Sequence, residues 1–421
     1  MTTILAALFP ILLILAVPVA HALLIATGGA ILIFDRVPFA ISVQRLYTPT
    51  QSFPMLAIPF FILAGNLMMS GKFGDYLVSF AKLVVGRLHG GLGKVSVIGS
   101  VMFGGVSGSA VADASALGNA IIPMTVREGY PAGFAAAVNA SSSTISVLIP
   151  PSIPLILFGL VGNTSIVDLF IAGIIPRLLL AVGLLLVCNL SGRLRKFPLV
   201  PLEGGFREFK RGILYAIPAL IMPVFVVGTL RFGIATPTEV SVLAVAYALV
   251  VSKLIYRDLT WAHIFKCMVS TGVMTGAVML VIMGSSLVQW VLTLERIPLL
   301  LSNWLLTTLE EKWLVIMAMN VVMILVGTFL DLPAAILLLG PLFVSIAHAI
   351  GLDTVQLGIM MVINLAIGIY TPPVGTTLFI SATIAQTSIG RVVAELLPFY
   401  LIALFVLLLM SYVPALTFVF L

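Results

Sequence analysis

The sequence predicts an all-α polytopic membrane protein made of two inverted-topology repeats, and three observations predict it. Of its 421 residues, 61% are hydrophobic and 9% charged, with a mean hydropathy of +1.24; a soluble chain carries about 25% charged residues. A Pro-Pro pair interrupts an apolar stretch at Pro150-Pro151 and again at Pro372-Pro373. Segments 151–176 and 373–398 run to the same length without a gap, and Thr164-Ser165-Ile166 returns, displaced by one residue, as Thr387-Ser388-Ile389. Gly65 and Gly105 find counterparts near Gly284 and Gly327, at offsets of 219 and 222. The third observation is the placement of basic residues, taken up once the elements are set out. Interrupted apolar helices at matching positions of two halves point to a transporter binding site.

The first repeat covers 1–190. Residues 4–34 are apolar but broken by Pro10 and Pro18, compatible with one bent helix or two short ones, and 52–69 is a span. In 73–88, Phe73, Tyr76, Leu77, Phe80, Val84 and Leu88 share one helical face, a pattern for an interfacial helix or an ordinary packing helix. The stretch 93–126 is broken at Gly104-Gly105-Val106-Ser107-Gly108-Ser109. Each limb has about 15 residues, or roughly 22 Å of helix, which suits a re-entrant hairpin better than two crossings. A span at 132–160 is interrupted at the first Pro-Pro pair, and 169–188 follows.

A basic linker, 191–211, leads to the second repeat at 212–421. Spans at 213–229, 239–251 and 269–290 precede a short lateral helix at 298–309. A second hairpin occupies 313–350 with its tip at 327–333; a broken span at 355–386 and a helix at 392–420 end the chain. The N-terminus lacks a basic n-region and a cleavage motif, so it reads as retained. Cys188 and Cys267 have no disulfide or metal spacing.

Charge tests this map. With the linker cytoplasmic, the loops that fall on its side hold 15 of the 21 Lys and Arg residues. Arg36, Arg45, Arg177, Arg231, Arg296 and Lys312 fall on the other face, as the positive-inside rule expects. The same walk opens the first hairpin to the cytoplasm and the second to the opposite side, so the repeats are inverted. The net charge of +6 reflects this loop bias, not nucleic-acid binding.

Backbone freed from a helix inside a bilayer survives only within protein or beside a polar cavity. Two tips and two interrupted spans supply four such places, where helix N-termini suit carboxylates and free carbonyls suit a cation. The first tip offers Ser107 and Ser109, with Asp113 a turn beyond. Its span holds Asn139, Ser141, Ser142, Ser143, Thr144 and Ser146. The second tip offers Thr328 and Asp331, and its span Asn364, Thr371, Thr376 and Thr377. Such small polar residues also bond their own helix or glue helices together. A mid-membrane carboxylate is costly, which makes Asp331 the leading ion ligand, with an N-cap as its structural alternative. Glu239, after Thr236-Pro237-Thr238, reads as a first-turn residue, and Arg296 as the partner of Glu295.

Two other classes compete: an inverted-repeat ion channel and an intramembrane serine protease. Gly105-Val106-Ser107-Gly108 and Ala347-His348-Ala349-Ile350-Gly351 resemble rhomboid nucleophile and histidine motifs. The map, however, holds Ser107 and His348 about one 25 Å limb apart. Zinc and P-loop motifs are absent, so metalloprotease chemistry and intrinsic ATP hydrolysis are unsupported.

Gly104-Gly105-Val106-Ser107-Gly108-Ser109-Ala110-Val111-Ala112-Asp113 resembles a signature of the large membrane subunit of tripartite ATP-independent periplasmic (TRAP) transporters. So do Ala235-Thr236-Pro237-Thr238-Glu239, Phe329-Leu330-Asp331 and Asn364-Leu365-Ala366-Ile367-Gly368 running into Thr371-Pro372-Pro373-Val374-Gly375. The resemblance spans nearly the whole chain. It implies a sodium-driven importer of an organic anion, such as a C4-dicarboxylate, sialic acid or another sugar or keto acid, in a bacterial inner membrane. It also implies an elevator movement, with hairpins and broken spans forming the transport domain and the other helices a scaffold. A separate small four-helix membrane subunit and a periplasmic binding protein are the implied partners. By motif, Ser107, Ser109, Asn139, Ser143 and Pro150 line one sodium site. Gly327, Thr328, Asp331, Asn364, Thr371 and Pro372 line another. Ser107, Gly108, Ser141, Thr144, Thr376 and Thr377 are the substrate candidates.

Overall fold

The computed structural model describes residues 1–34, 38–69, 73–199, 206–257, 259–309 and 311–421. The middle of the expected linker, 200–205, and the basic residues Arg36 and Lys72 lie outside them. Among the described residues the chain forms 21 α-helices. Five are long and apolar enough to cross a membrane, or seven elements if two bent pairs count as spans. The chain is a multi-pass membrane protein.

Residues 4–34 form two helices, α1 (Thr2–Ile14) and α2 (Val19–Phe34). Ala16 takes a left-handed φ of 59° and Val17 donates to the Leu12 carbonyl, which closes α1 before Pro18. A helix not anticipated from the sequence, α3 (Phe39–Tyr47), leads through 3-10 turns at Thr48–Gln51 and Phe53–Leu56 into α4 (Ala57–Met69). The span expected at 52–69 therefore starts as a 3-10 turn and bends by 61° from the helix before it. Pro49 and Pro54, each lacking a backbone donor, account for the irregular backbone. The interfacial segment is α5 (Phe73–Val85), which buries Leu77, Ala81 and Val85 at helical spacing and stacks Tyr76 on Tyr215 at 4.3 Å.

Next come α6 (Gly91–Ser107), α7 (Ala110–Arg127) and α8 (Ala132–Ser142), the last continued by a 3-10 run, Ser143–Leu148. After the first Pro-Pro pair, α9 (Ile153–Val161) leaves at 49° to the incoming helix. Then follow α10 (Ile166–Ala172), capped by Ser165, and α11 (Ile174–Leu194). The second half opens with α12 (Phe206–Arg231) and α13 (Pro237–Val250). Thr236 and Glu239 form a capping box on α13: Glu239 Oε2 accepts from Thr236 N at 2.7 Å, and Thr236 Oγ1 accepts from Glu239 N at 3.4 Å.

The third span of this half, α14 (Trp261–Leu294), is longer than the expected 269–290, because Thr260 caps it early by accepting from His263 N at 3.3 Å. Glu295 does not pair with its neighbour Arg296; its carboxylate accepts from Thr2 N at 2.9 Å. The remaining helices are α15 (Ile297–Thr308), α16 (Lys312–Gly327), α17 (Leu332–Ala349), α18 (Thr354–Gly368) and α19 (Thr376–Ile384). Last come α20 (Ile389–Tyr412) and α21 (Pro414–Phe418). The single helix expected at 392–420 thus breaks at Val413, since Pro414 cannot continue the ladder.

Two groups of helices result. In one, α4 packs on α13 and α14, and α14 on α2. In the other, α6 and α7 pack on each other and on α8, α16 and α17 pack on α18, and α19 lies across α7 and α8. The groups meet where α14 touches α17 and where α6 touches α4 and α12.

Candidate ion and substrate site

The first hairpin does not open at Gly104-Gly105, where the sequence places the start of its tip. Instead α6 runs on to Ser107, and only Gly108 and Ser109 are non-helical. Gly104 serves close approach: a Cβ there would lie 2.5 Å from Ser146 Cα on the neighbouring 3-10 run. Gly108 makes the turn, with φ 57°, and a Cβ on it would stand 2.0 Å from the Pro151 carbonyl oxygen. Tip and Pro-Pro break therefore touch backbone to backbone. Ser107 Oγ accepts from Ser109 N, and Ser109 Oγ caps α7 by accepting from Ala112 N, both at 3.4 Å.

The hydroxyls along the first broken span point back along their own helix. Ser141 donates to Ala137 O at 2.8 Å, Ser143 to Ala140 O at 2.9 Å, and Thr144 to Ser141 O at 2.6 Å. Each hydrogen is used, while the oxygen keeps lone pairs to offer a cation. All three residues are buried.

Asp113 is fully buried, and no basic side chain pairs with it among the described residues. Ser100 Oγ lies 3.2 Å from Asp113 Oδ1 and 3.0 Å from Ser142 Oγ, which in turn lies 3.2 Å from Ser96 Oγ. Asp113 Oδ2 has no partner. Beside it, Asn139 donates to Ala114 O and to Ser381 Oγ, each at 2.9 Å, and leaves its own Oδ1 unpaired. Each is a buried acceptor without a donor, on adjoining helices, and such oxygens suit a cation.

The second hairpin leaves helix at 328–331. Its tip is pressed on α18: a Cβ on Gly368 would lie 2.4 Å from the Gly327 carbonyl carbon. Thr328 donates to Leu325 O at 2.8 Å and Thr371 to Ile367 O at 2.7 Å, again along their own helices. Thr377 closes the Pro372 break, its N and Oγ1 each 3.0 Å from Ile369 O, and its Oγ1 also reaches Ala140 O on α8 at 3.4 Å. Asn364 donates to Asn320 O and Oδ1, at 3.0 and 2.8 Å, and its Oδ1 is a third orphaned buried oxygen. Asp331 occupies the N-cap position of α17, yet its side chain makes no capping hydrogen bond.

A cavity of about 540 Å³ opens beside this break, lined by Val111, Asp331, Pro373, Val374, Thr376, Phe379 and Ile380. Among the substrate candidates it gathers Thr376, whose hydroxyl is unpartnered, but not Ser107, Gly108, Ser141, Thr144 or Thr377. Among the sodium candidates it gathers Asp331. Ser100, Asn320 and Ser381, which complete the polar networks with Ser142, escaped the sequence reading. The one available signal was the i, i+4 pairing of Ser96 with Ser100 on an otherwise apolar helix. No hydrogen bond joins Ser107 at the end of α6 to His348 in the last turn of α17.

Apolar helices broken around unpaired oxygens, with a cavity at one break, are the architecture of a membrane transporter. The chain belongs to the family described as the tripartite ATP-independent periplasmic transporter, DctM component, which matches residues 6–416. It is 49% identical to the uncharacterized protein y4mL of Sinorhizobium fredii, over 99% of this chain and 100% of that one. Identity to the C4-dicarboxylate TRAP transporter large permease protein DctM of Pseudomonas aeruginosa is 34%, over 88% and 87% of the two chains. Identity to the sialic acid TRAP transporter large permease protein SiaM of Vibrio cholerae is 32%, over 96% and 95%. The crystal structure of the YdaH transporter of Alcanivorax borkumensis superposes with a TM-score of 0.65 at 15% identity, over 91% and 88%, a likeness of fold. The protein is thus a transporter permease subunit of the inner membrane and not an enzyme, which removes the protease reading.

Proposed function

We propose that this chain is the translocating subunit of a sodium-driven importer of an organic anion, working with a small membrane subunit and a periplasmic binding protein. The observation that carries the reading is the set of three buried oxygens left without donors, on Asp113, Asn139 and Asn364, next to two interrupted helices. Leaving a buried acceptor unpaired costs about 1–3 kcal/mol, and more for a charged one, so a coupling cation is their natural occupant.

Sodium is taken at two places. The first uses Asp113 with Ser107, Ser109, Asn139, Ser143 and the Pro150 break. The second uses Asp331 with Gly327, Thr328, Asn364, Thr371 and the Pro372 break. Ion binding neutralises Asp331 and readies the adjoining cavity for a carboxylate at the start of α19. The relatives' organic acids, C4-dicarboxylates and sialic acid, support the substrate class. The two halves are read as inverted repeats, supported by the paired breaks and by the basic residues gathered on one face. In that reading the α6–α9 and α16–α19 group moves as an elevator against α2, α4, α13 and α14.

Reconstitution of the chain with its small subunit in vesicles tests the proposal. Uptake of an organic acid requires an inward sodium gradient and the cognate binding protein. Steady ionic conductance without either protein or gradient replaces the transporter by a channel.

A further inference from the structure

The start of α14 frames another cavity, of about 280 Å³. It is lined by Asn66 and Met69 in the last turn of α4 and by His263, Lys266, Cys267 and Ser270 on one face of α14. Its two walls are tied together: Asn66 Nδ2 donates to Thr271 Oγ1 at 3.0 Å, and Cys267 Sγ donates to the Asn66 carbonyl at 3.4 Å. Among the described residues no acidic side chain lines the cavity, and Lys266 stands in no ion pair. That balance of charge favours an anion.

Depth and surroundings narrow the anion. The stretch of α14 after Lys266, residues 267–294, carries no charge and makes about 42 Å of helix, more than the roughly 30 Å of hydrocarbon in a bilayer. A charge inside the hydrocarbon is costly, so Lys266 stands at the edge of that layer, level with lipid headgroups. Beside it, Phe265, Val269 and Val273 follow at a spacing of four and are 70%, 51% and 69% exposed. Trp261, 85% exposed at the helix start, is the kind of amphipathic ring that sits at a membrane–water interface. A water-soluble anion has no use for such a stripe, whereas a phospholipid joins a phosphate to an acyl chain.

We propose that the cavity between α4 and α14 binds an anionic phospholipid. The Lys266 ammonium takes the phosphate, with Ser270 and His263 beside it, and one acyl chain lies along Phe265, Val269 and Val273. With no carboxylate in the lining, a choline ammonium has no partner there and meets Lys266, which favours an anionic headgroup over a zwitterionic one. The lipid bridges the end of α4 to the start of α14 and stabilises that pair of helices.

The test is native mass spectrometry of the delipidated full-length chain titrated with dioleoyl phosphatidylglycerol or dioleoyl phosphatidylcholine. The expected result is a phosphatidylglycerol held about fivefold tighter than phosphatidylcholine and not displaced by inorganic phosphate. Lys266→Gln then weakens phosphatidylglycerol binding about fivefold. Lys253→Gln, which removes an exposed cation outside the cavity, leaves it unchanged. Equal retention of the two lipids overturns the anionic-lipid assignment, and so does equal loss in both variants, which marks diffuse surface attraction. Displacement by inorganic phosphate overturns it in favour of a site for a soluble anion. Displacement by an added small membrane subunit overturns it in favour of a protein interface. The comparison of the two lipids on the unsubstituted chain stands even where a variant fails to fold.

Discussion

The two interrupted spans share a plan and differ in how tightly they are closed. Near the Pro150 break the polar cluster is enclosed: Asp113, Asn139, Ser142, Ser143 and Ser152 are each 0% exposed, and backbone meets backbone at Gly108. Around the Pro372 break the acid, Asp331, lines an open cavity, and Val374 is 44% exposed. The same Pro-Pro pair thus stands beside an enclosed polar cluster in one half and beside an open cavity in the other. On the sodium reading proposed above, the enclosed carboxylate would lean on a bound cation more than its counterpart does.

The largest effect separating the halves concerns the tips. Gly108→Ala puts a methyl group on a left-handed residue and into a fixed carbonyl, and is expected to cost more than about 2 kcal/mol. Gly327→Ala meets the Leu365 side chain at 3.2 Å, which can give way, and is expected to cost less than about 1.5 kcal/mol. Thermal midpoints of the purified variants check this; equal losses would erase the contrast.

Next come the acids. Asp113→Asn is expected to raise the sodium concentration for half-maximal uptake about a hundredfold, and Asp331→Asn about tenfold, or ~1.4 kcal/mol. Sodium titration of uptake reads both, and the reverse order would sink the idea that closure sets dependence on the ion. Ser142→Ala, which removes the hydroxyl that bridges Ser96 and Ser100, should shift the same midpoint about fivefold, near 1 kcal/mol. The smallest change is Glu239→Ala, which breaks a capping box away from both breaks. It should lower the thermal midpoint only slightly and leave the sodium midpoint where it was.

Much of this was legible in the sequence because it is written in local chemistry. Both helix interruptions fall at the Pro-Pro pairs, and Glu239 joins Thr236 as a first-turn residue would. What was not legible depends on contacts distant in sequence. Gly104 looked like a helix breaker but stays helical, because its missing side chain admits Ser146 from another helix. The serine and threonine run of the first broken span read equally as ion ligands or as self-bonded hydroxyls, and it is largely bonded to its own carbonyls. Asp113 stood open in the sequence between a structural and a functional role, and only packing reveals that one of its oxygens is left alone. The bend before α4 and the break at Val413 follow from prolines in plain view, but where a chain turns at a proline depends on the partner helix. Composition does not state that.

Two hydrogen bonds tie one broken span to the other: Asn139 donates to Ser381 beyond the second break, and Thr377 reaches back to Ala140. Sites joined through shared side chains influence one another, and that influence is reciprocal by thermodynamic necessity. Whatever occupancy at the Pro372 break does to affinity at the Pro150 break, the converse holds by the same factor. Where that factor favours joint filling, the half-filled state, through which an ion would cross unaccompanied and dissipate the gradient, is the least populated of the proposed cycle.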